Sequence, residues 1–172
     1  LAEKNRLLRE EVQIRERFEM TKRHEDFAAL PEFVSRAKKV GLSGVWKVTT
    51  ALAVKEYIEA MNALAHDVHA TKWEKNEKAP NLEIDCSQLI ISGDLVLESL
   101  KLPRIDFRGS RFWGEVFLAK IIFTGPILFS GCIFRRKLFM NSLIFGNRSD
   151  FSCMQLLDAA YFRSISFPYP DE

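Results

Sequence analysis

The chain has 172 residues, with 25 basic and 23 acidic side chains and a hydrophobic fraction of 47%. This length and composition can bury the core of one sizeable domain or two small ones, which excludes a disordered chain. The net charge of +2 is too small to indicate a nucleic-acid-binding surface. Residues 81–172 carry ten basic and ten acidic side chains and 11 of the 14 phenylalanines, so the composition divides the chain near residue 80.

The cellular location is predicted from the cysteines and from the absence of apolar runs. Three widely spaced cysteines, Cys86, Cys132 and Cys153, favour reduced thiols in a cytoplasmic protein over a disulfide framework. No apolar run reaches the roughly 18 residues of a membrane span, and the N-terminal residues are too charged for a signal peptide. The chain begins at Leu1 instead of methionine, which suggests a fragment. We therefore expect a cytoplasmic protein, with any membrane tether supplied by an upstream segment.

The first 80 residues predict helices. Residues 1–29 are charged and loosely amphipathic, which predicts a solvated helix that would serve as a stalk. Residues 30–80 predict a small helical cap and a polar connector: Pro31 and Gly41 mark the ends of a short helix, and apolar residues recur with helical spacing from residue 54 to residue 68. We expect this unit to cover the first coil of the repeats that follow.

Residues 81–172 carry a periodic pattern of large apolar side chains. From Phe107 to Phe167 the steps between them run 5, 5, 6, 6 and then repeat, giving a period of 22 residues. A solenoid with four sides per coil explains this pattern, because residues 22 apart then stack on one another. The predicted inner columns are Phe107, Phe129 and Phe151; Phe112, Phe134 and Leu156; Phe117, Phe139 and Tyr161; Phe123, Phe145 and Phe167.

A smaller residue is expected two positions before each large one. Most positions comply, but Glu115 and Lys137 are charged. Because they are 22 residues apart, these two would lie on adjacent coils of one side. Either they form a pair there, or this side bulges and leaves both in solvent.

The repeats resemble those of the pentapeptide-repeat family. The matching units include SRF, CIF, SDF and DAAY, together with the steps FRG, FWG, FTG and FSG. The resemblance covers about residues 82–167 and implies a right-handed quadrilateral β-helix, so that the expected fold class is α+β, with N-terminal helices followed by the solenoid. The six-residue steps are similar to the phenylalanine-rich variants of the family. The stretch RLLREEVQIRERF also looks like the juxtamembrane helix of membrane-anchored members.

The repeat register predicts an apolar patch on the outside of the solenoid. The residues placed there, with two arginines beside them, are Trp113, Leu118, Arg135, Arg136, Met140, Leu157 and Phe162. Such a patch is typical of an interface, although the helical unit folding back onto it would explain it equally well. At the far end, Phe167 and Tyr169 either cover the last coil or form the contact of a homodimer, which the family resemblance also suggests.

No catalytic or ligand-binding constellation is present in the sequence. His66 and His69 lie one helical turn apart without a third ligand for a metal, and no acid, base and nucleophile are grouped by a motif. We therefore predict no enzyme, no cofactor and no metal site. The first hypothesis is a non-catalytic protein-protein interaction or scaffolding module with an unknown protein partner.

Two other functions are weighed against this hypothesis. The family resemblance also suggests a DNA-mimicking modulator of a topoisomerase, of the kind that binds gyrase. DNA mimicry requires a strongly acidic rod, and residues 81–172 carry no net charge, so direct nucleic-acid mimicry or binding is disfavoured. An enzyme built on the helical unit lacks a catalytic set.

Overall fold

The computed structural model describes residues 1–24 and 46–167. Its helices are α1, Ala2–Glu19, and α2, Ala51–Ala70. The strands are β1 Arg23–His24, β2 Lys47–Thr50, β3 Ile84–Asp85, β4 Leu89–Ser92, β5 Leu95–Leu102, β6 Ile105–Asp106, β7 Arg111–Phe112, β8 Val116–Phe123, β9 Ile127–Leu128, β10 Ile133–Phe134, β11 Leu138–Phe145, β12 Ser149–Asp150, β13 Gln155–Leu156 and β14 Ala160–Ser166. The short helix predicted between Pro31 and Gly41 lies outside the described residues.

Strands β3 to β14 wind into a parallel β-helix of four coils. One sheet contains β3, β6, β9 and β12, a second contains β4, β7, β10 and β13, and a third contains β5, β8, β11 and β14. Register partners are 21 residues apart between the first and second coils, as in Ile84 and Ile105. They are 22 apart from there on, as in Ile105 and Ile127. The predicted fold of helices followed by a β-helix is therefore confirmed.

Each coil has four sides because its long strand bends in the middle. The bends occur at Ser99, Lys120, Ser142 and Ser164, whose φ angles are 57°, 54°, 56° and 56°. A left-handed residue between two extended stretches turns the chain through a corner while the backbone hydrogen bonds to the neighbouring coil continue. Strands β5, β8, β11 and β14 thus each form two sides of the square, and the other two sheets supply the remaining sides.

Three of the four predicted columns fill the interior of the solenoid. Phe107 stacks on Phe129 with ring centroids 5.3 Å apart, and Phe129 stacks on Phe151 at 5.6 Å. The columns that contain Phe112 and Phe123 stack in the same way, at 4.6 Å and 5.0 Å to the next coil. Parallel stacking in register keeps these buried rings in close contact.

The fourth predicted column, Phe117, Phe139 and Tyr161, was wrong in its direction. These rings stack at 4.5 Å and 5.0 Å, but on the outside of the solenoid. Strand β8 alternates, and its buried residues are Val116 and Leu118 instead. In this register Glu115 and Lys137, the two charged exceptions to the predicted pattern, do not lie in the core.

The two helices cover the first coil. Apolar residues of α1 and α2, among them Leu7, Ile58 and Met61, belong to the same buried core as Leu97 and Leu102 of the first coil. Leu97 is 2% exposed, whereas Phe162, its counterpart three coils later, is 57% exposed. Helix α2 lies in the segment for which the sequence predicted a cap, whereas α1 was predicted to be a solvated stalk and instead packs against the core through Leu7, Ile14 and Phe18. The described residues of the fourth coil have no equivalent cover.

The segment before α2 was not predicted to be part of the β-structure. Strand β2 pairs in parallel with β4, and so extends one sheet of the solenoid beyond its first coil. Trp46, just before this strand, is buried and donates a hydrogen bond from Nε1 to the carbonyl of Gly109, at 2.7 Å. The side chain of Thr50 then accepts a hydrogen bond from the amide of Ala53 and caps α2.

Tyr57 connects the two helices. Because its hydroxyl is buried, we expect the free energy of unfolding to fall at alkaline pH. Its ring stacks on Phe18 at 4.2 Å, and its hydroxyl accepts a hydrogen bond from Arg15 at 2.9 Å. Burial raises the pKa of Tyr57 to about 12. Since the tyrosine of the unfolded chain ionises near pH 10, the unfolded state releases its proton first, and the stability present below pH 10 declines between about pH 10 and 12.

We expect this decline to reach about 2 kcal/mol in the free energy of unfolding, and to disappear in Tyr57→Phe. Urea unfolding at a series of pH values from 8 to about 12 would measure it. Lysine ionisation affects both proteins alike, so the difference between them isolates Tyr57. An equal alkaline loss in the variant would contradict this assignment.

Candidate interaction surface

Part of the predicted outer patch forms a shallow groove on the sheet that contains β7, β10 and β13. Trp113, Arg135 and Leu157 line it together with Arg111 and Ile133, and its volume is about 240 Å³. The guanidinium carbon of Arg135 lies 5.8 Å from the centre of the Trp113 ring, within the range of a cation–π contact. Trp113 is 38% exposed and Leu157 is 63% exposed. The groove therefore combines an aromatic plane with two guanidinium groups.

Two residues of the predicted patch are corrected by the structure. Leu118 and Met140 are both buried, with 3% of their surface exposed. They pair in register on β8 and β11 and fill the interior, because the neighbouring Phe117 and Phe139 take the outward direction. Arg136, in contrast, is exposed beside the groove, although it does not line it.

Phe162 is exposed for a different reason from the one predicted. It pairs with Met140 in register and so belongs to an inner column of the solenoid. It is exposed because it lies on the fourth coil, where no described residue covers it. Its position is therefore at the end of the solenoid instead of on the outer patch.

The open end of the solenoid is an apolar surface of the described residues. Leu156, Phe162 and Phe167 all occupy inner columns, and they are 39%, 57% and 49% exposed. Phe167 stacks on Phe145 at 4.9 Å. Strands β12, β13 and β14 are each the outermost strand of their sheet, which leaves one edge of the backbone ladder unpaired with any described residue. Tyr169, the other residue predicted at this end, lies outside the described residues.

Metal ligands and reactive thiols are the groups to consider beside these surfaces. In the described part of the chain, no three histidine, cysteine or acidic side chains are grouped as metal ligands. His66 and His69 are both exposed on α2. Burial raises the pKa of the Cys86 thiol, which disfavours the reactive thiolate. None of the described helices is both long and apolar enough to cross a membrane.

Comparison with known proteins adds no relative. No protein-family model, no curated protein and no solved structure matches this chain. The resemblance to the pentapeptide-repeat family therefore rests on its sequence motifs alone.

Sequence reasoning missed a second outer surface. The stacked rings of Phe117, Phe139 and Tyr161 run along the third sheet, and Ile122 and Ile144 form a parallel row that is 42% and 38% exposed. The stretch VFLAK at residues 116–120 is apolar at four of its five positions, so its pattern does not identify the buried face. The signal was the charge of Glu115, which counting Phe117 as inward would place in the core.

Proposed function

We propose that this protein is a non-catalytic protein-protein interaction or scaffolding module that binds through the open end of its β-helix. The observation that carries the proposal is the exposure of inner-column side chains on the fourth coil. Removing apolar surface from water contributes about 25 cal/mol of favourable free energy for each Å² buried. A complex in which a partner covers these side chains is therefore stabilised. Unpaired strand edges at the same place add hydrogen-bonding groups for that partner.

The partner that fits this end best is a second copy of the chain. Two copies that meet end to end across a two-fold axis bring the same apolar side chains together, including Phe162 and Phe167. The unpaired edges of their last strands would then run antiparallel, a geometry in which strands pair well. Such a contact would turn two short solenoids into one rod with a helical cap at each end.

The oligomeric state in solution tests this proposal. We expect light scattering to give twice the chain mass of 19.9 kDa for the wild type, and the single-chain mass for Phe162→Glu. A buried carboxylate in the contact would cost several kcal/mol, which is enough to dissociate a dimer of ordinary affinity.

Tyr161→Glu is the matched control. Tyr161 precedes Phe162 in β14, is 50% exposed, and lies on the outer face of the strand instead of the end of the solenoid. We expect this variant to remain a dimer. A wild-type monomer, or a dimer that Tyr161→Glu disrupts and Phe162→Glu does not, would contradict the proposal.

No feature of the described surface favours the DNA-mimicking alternative. The groove beside Trp113 carries Arg111 and Arg135, charges of the wrong sign for a surrogate of the phosphate backbone. This groove is instead suited to a partner with acidic or aromatic side chains, because arginine and tryptophan are both enriched at the centres of protein interfaces.

A further inference from the structure

A second concave surface lies between helix α2 and the third sheet of the solenoid. It has a volume of about 700 Å³. One wall is the C-terminal half of α2, which contributes His66 and His69. The other wall is formed by β5 and β8, which contribute Lys101 and Lys120. This volume is within the range of small-molecule sites in proteins.

The walls of this groove are held in place by the core. Ala65 of α2 is buried, and its neighbour Leu64 packs in the hydrophobic core with the first coil. The side-chain oxygen of Asn62 accepts a hydrogen bond from the amide of Lys101 at 3.1 Å, which ties the helix directly to β5. Because both walls belong to packed elements, the spacing of the groove is set before a ligand binds.

The groove is lined by basic side chains. Two lysines and two histidines line it, and none of its lining residues is acidic. The carboxylate of Glu98 lies 3.8 Å from the ammonium group of Lys120; both side chains are well exposed, so this pair is weak. Neither Lys101 nor the two histidines form a salt bridge with another described residue.

The floor between these charges is apolar. Leu100, Pro103 and Ile122 form it, and the exposed fraction of the Ile122 side chain is 42%. Ser99 and Thr124 supply hydroxyl groups at its edges. A ligand that fits must therefore carry negative charge and also present an apolar part.

We propose that this groove binds a phosphate monoester whose organic part rests on Ile122 and Pro103. A phosphate monoester is a dianion above about pH 6, so it matches the charges of Lys101 and Lys120. It also has three oxygens that can accept hydrogen bonds from the lysines, the histidines and the hydroxyl group of Ser99, whereas the hydroxyl of Thr124 already donates to the carbonyl of Leu102 at 3.0 Å. The same headgroup occurs in a soluble metabolite and in an anionic lipid, and the structure defines the shared chemistry.

Phenyl phosphate is the probe for this site. We expect it to bind the full chain with a dissociation constant of about 1 mM or below, measured by calorimetry and by amide shifts in α2 and β8. Inorganic phosphate lacks the apolar part, and should bind about tenfold more weakly. The double variant Lys101→Gln, Lys120→Gln should lower the affinity for phenyl phosphate at least about tenfold.

Lys75→Gln, Lys78→Gln is the matched control, because these exposed lysines do not line the groove and their loss changes the net charge equally. We expect the control to change the affinity less than about twofold. No binding of phenyl phosphate at about 10 mM, together with no binding to phosphatidic acid vesicles, would overturn the proposal. Equal losses in the two double variants would also overturn it, since they would show a general charge effect.

Vesicles distinguish the two sources of the headgroup. If the ligand is a lipid, the wild type should sediment together with phosphatidylcholine vesicles that contain about a fifth phosphatidic acid, and the double variant Lys101→Gln, Lys120→Gln should stay in the supernatant. Retention of neither protein, with phenyl phosphate still bound, assigns the groove to a soluble ester. This test is independent of the open end, because Phe162→Glu leaves the groove intact and serves as a monomeric background.

Discussion

Replacing Phe134 by alanine is expected to lower the free energy of unfolding by about 3–5 kcal/mol. Phe134 is fully buried on the third coil. Its ring stacks on Phe112 at 4.6 Å and contacts Phe129 with centroids 5.9 Å apart. Because the coils above and below are fixed by backbone ladders on all four sides, the cavity cannot collapse, and the lost contacts are not regained.

Phe139→Ala is the matched control for this experiment. It removes the same atoms from the same coil, and the ring of Phe139 is stacked equally closely, at 4.5 Å from Phe117. Phe139 lies on the outer face and is partly exposed, so its loss should cost only about 1 kcal/mol. Urea unfolding followed by circular dichroism measures both. Equal losses for the two variants would contradict the inner and outer register described above.

The sequence predicted the coil but misassigned one side of it. The inner positions Phe107, Phe112, Leu118, Phe123 and Phe129 are spaced by alternating steps of 5 and 6 residues, whereas the phenylalanines alone suggested 5, 5, 6, 6. Both series sum to 22, so the period could not distinguish them. An aromatic residue happens to occupy the outward position next to the true inner one.

Glu115 and Lys137 contained the information that corrects this error. Counting Phe117 as inward places Glu115 in the core, where an unpaired charge costs far more than a misplaced ring. In the structure Glu115 lies before β8, and its amide donates a hydrogen bond to the carboxylate of Asp94 at 2.8 Å. A charged residue at a proposed core position is therefore stronger evidence about the strand register than the regular spacing of large residues along the chain.

The candidate binding end could be predicted only in part. Phe162 and Leu97 occupy the same inner column, yet one is exposed and the other is buried. Local sequence determines which face of a strand a residue takes, but burial depends on what lies on the next coil. The cap of the first coil comes from α1 and α2, which are distant in the chain, and β2 joins the sheet without a repeat motif of its own. Membership of the pentapeptide-repeat family stays a prediction from the motifs.

The FxG steps require glycine for two different physical reasons. Gly109 and Gly131 both have a φ of 72°, a left-handed conformation that glycine adopts without strain. Gly114 instead lies against the preceding coil. A Cβ at this position would be 2.2 Å from the carbonyl oxygen of Gly93 and 2.4 Å from its carbonyl carbon. Side-chain rotation cannot relieve this contact, because both atoms belong to the backbone.

We therefore expect Gly114→Ala to lower the free energy of unfolding by about 3 kcal/mol or more, since two coils must separate locally to admit one methyl group. Beside this contact, the backbone amide of Trp113 donates a hydrogen bond to the carbonyl of Ile91 at 2.9 Å. The separation should therefore also weaken the backbone ladder between the first and second coils. Urea unfolding gives the loss of stability. Hydrogen exchange of the amides of β4 and β7 should show that protection falls there first.

Gly146→Ala is the matched control, because the same substitution at this repeat glycine meets only the carbonyl oxygen of Phe123, at 3.1 Å. A shift of a few tenths of an ångström accommodates it, and the free energy of unfolding should change by less than about 1 kcal/mol. Equal stability of Gly114→Ala and the wild type would mean that the first two coils are not packed at the distance described. That result would also weaken the case for a rigid solenoid, on which a pre-formed binding end depends.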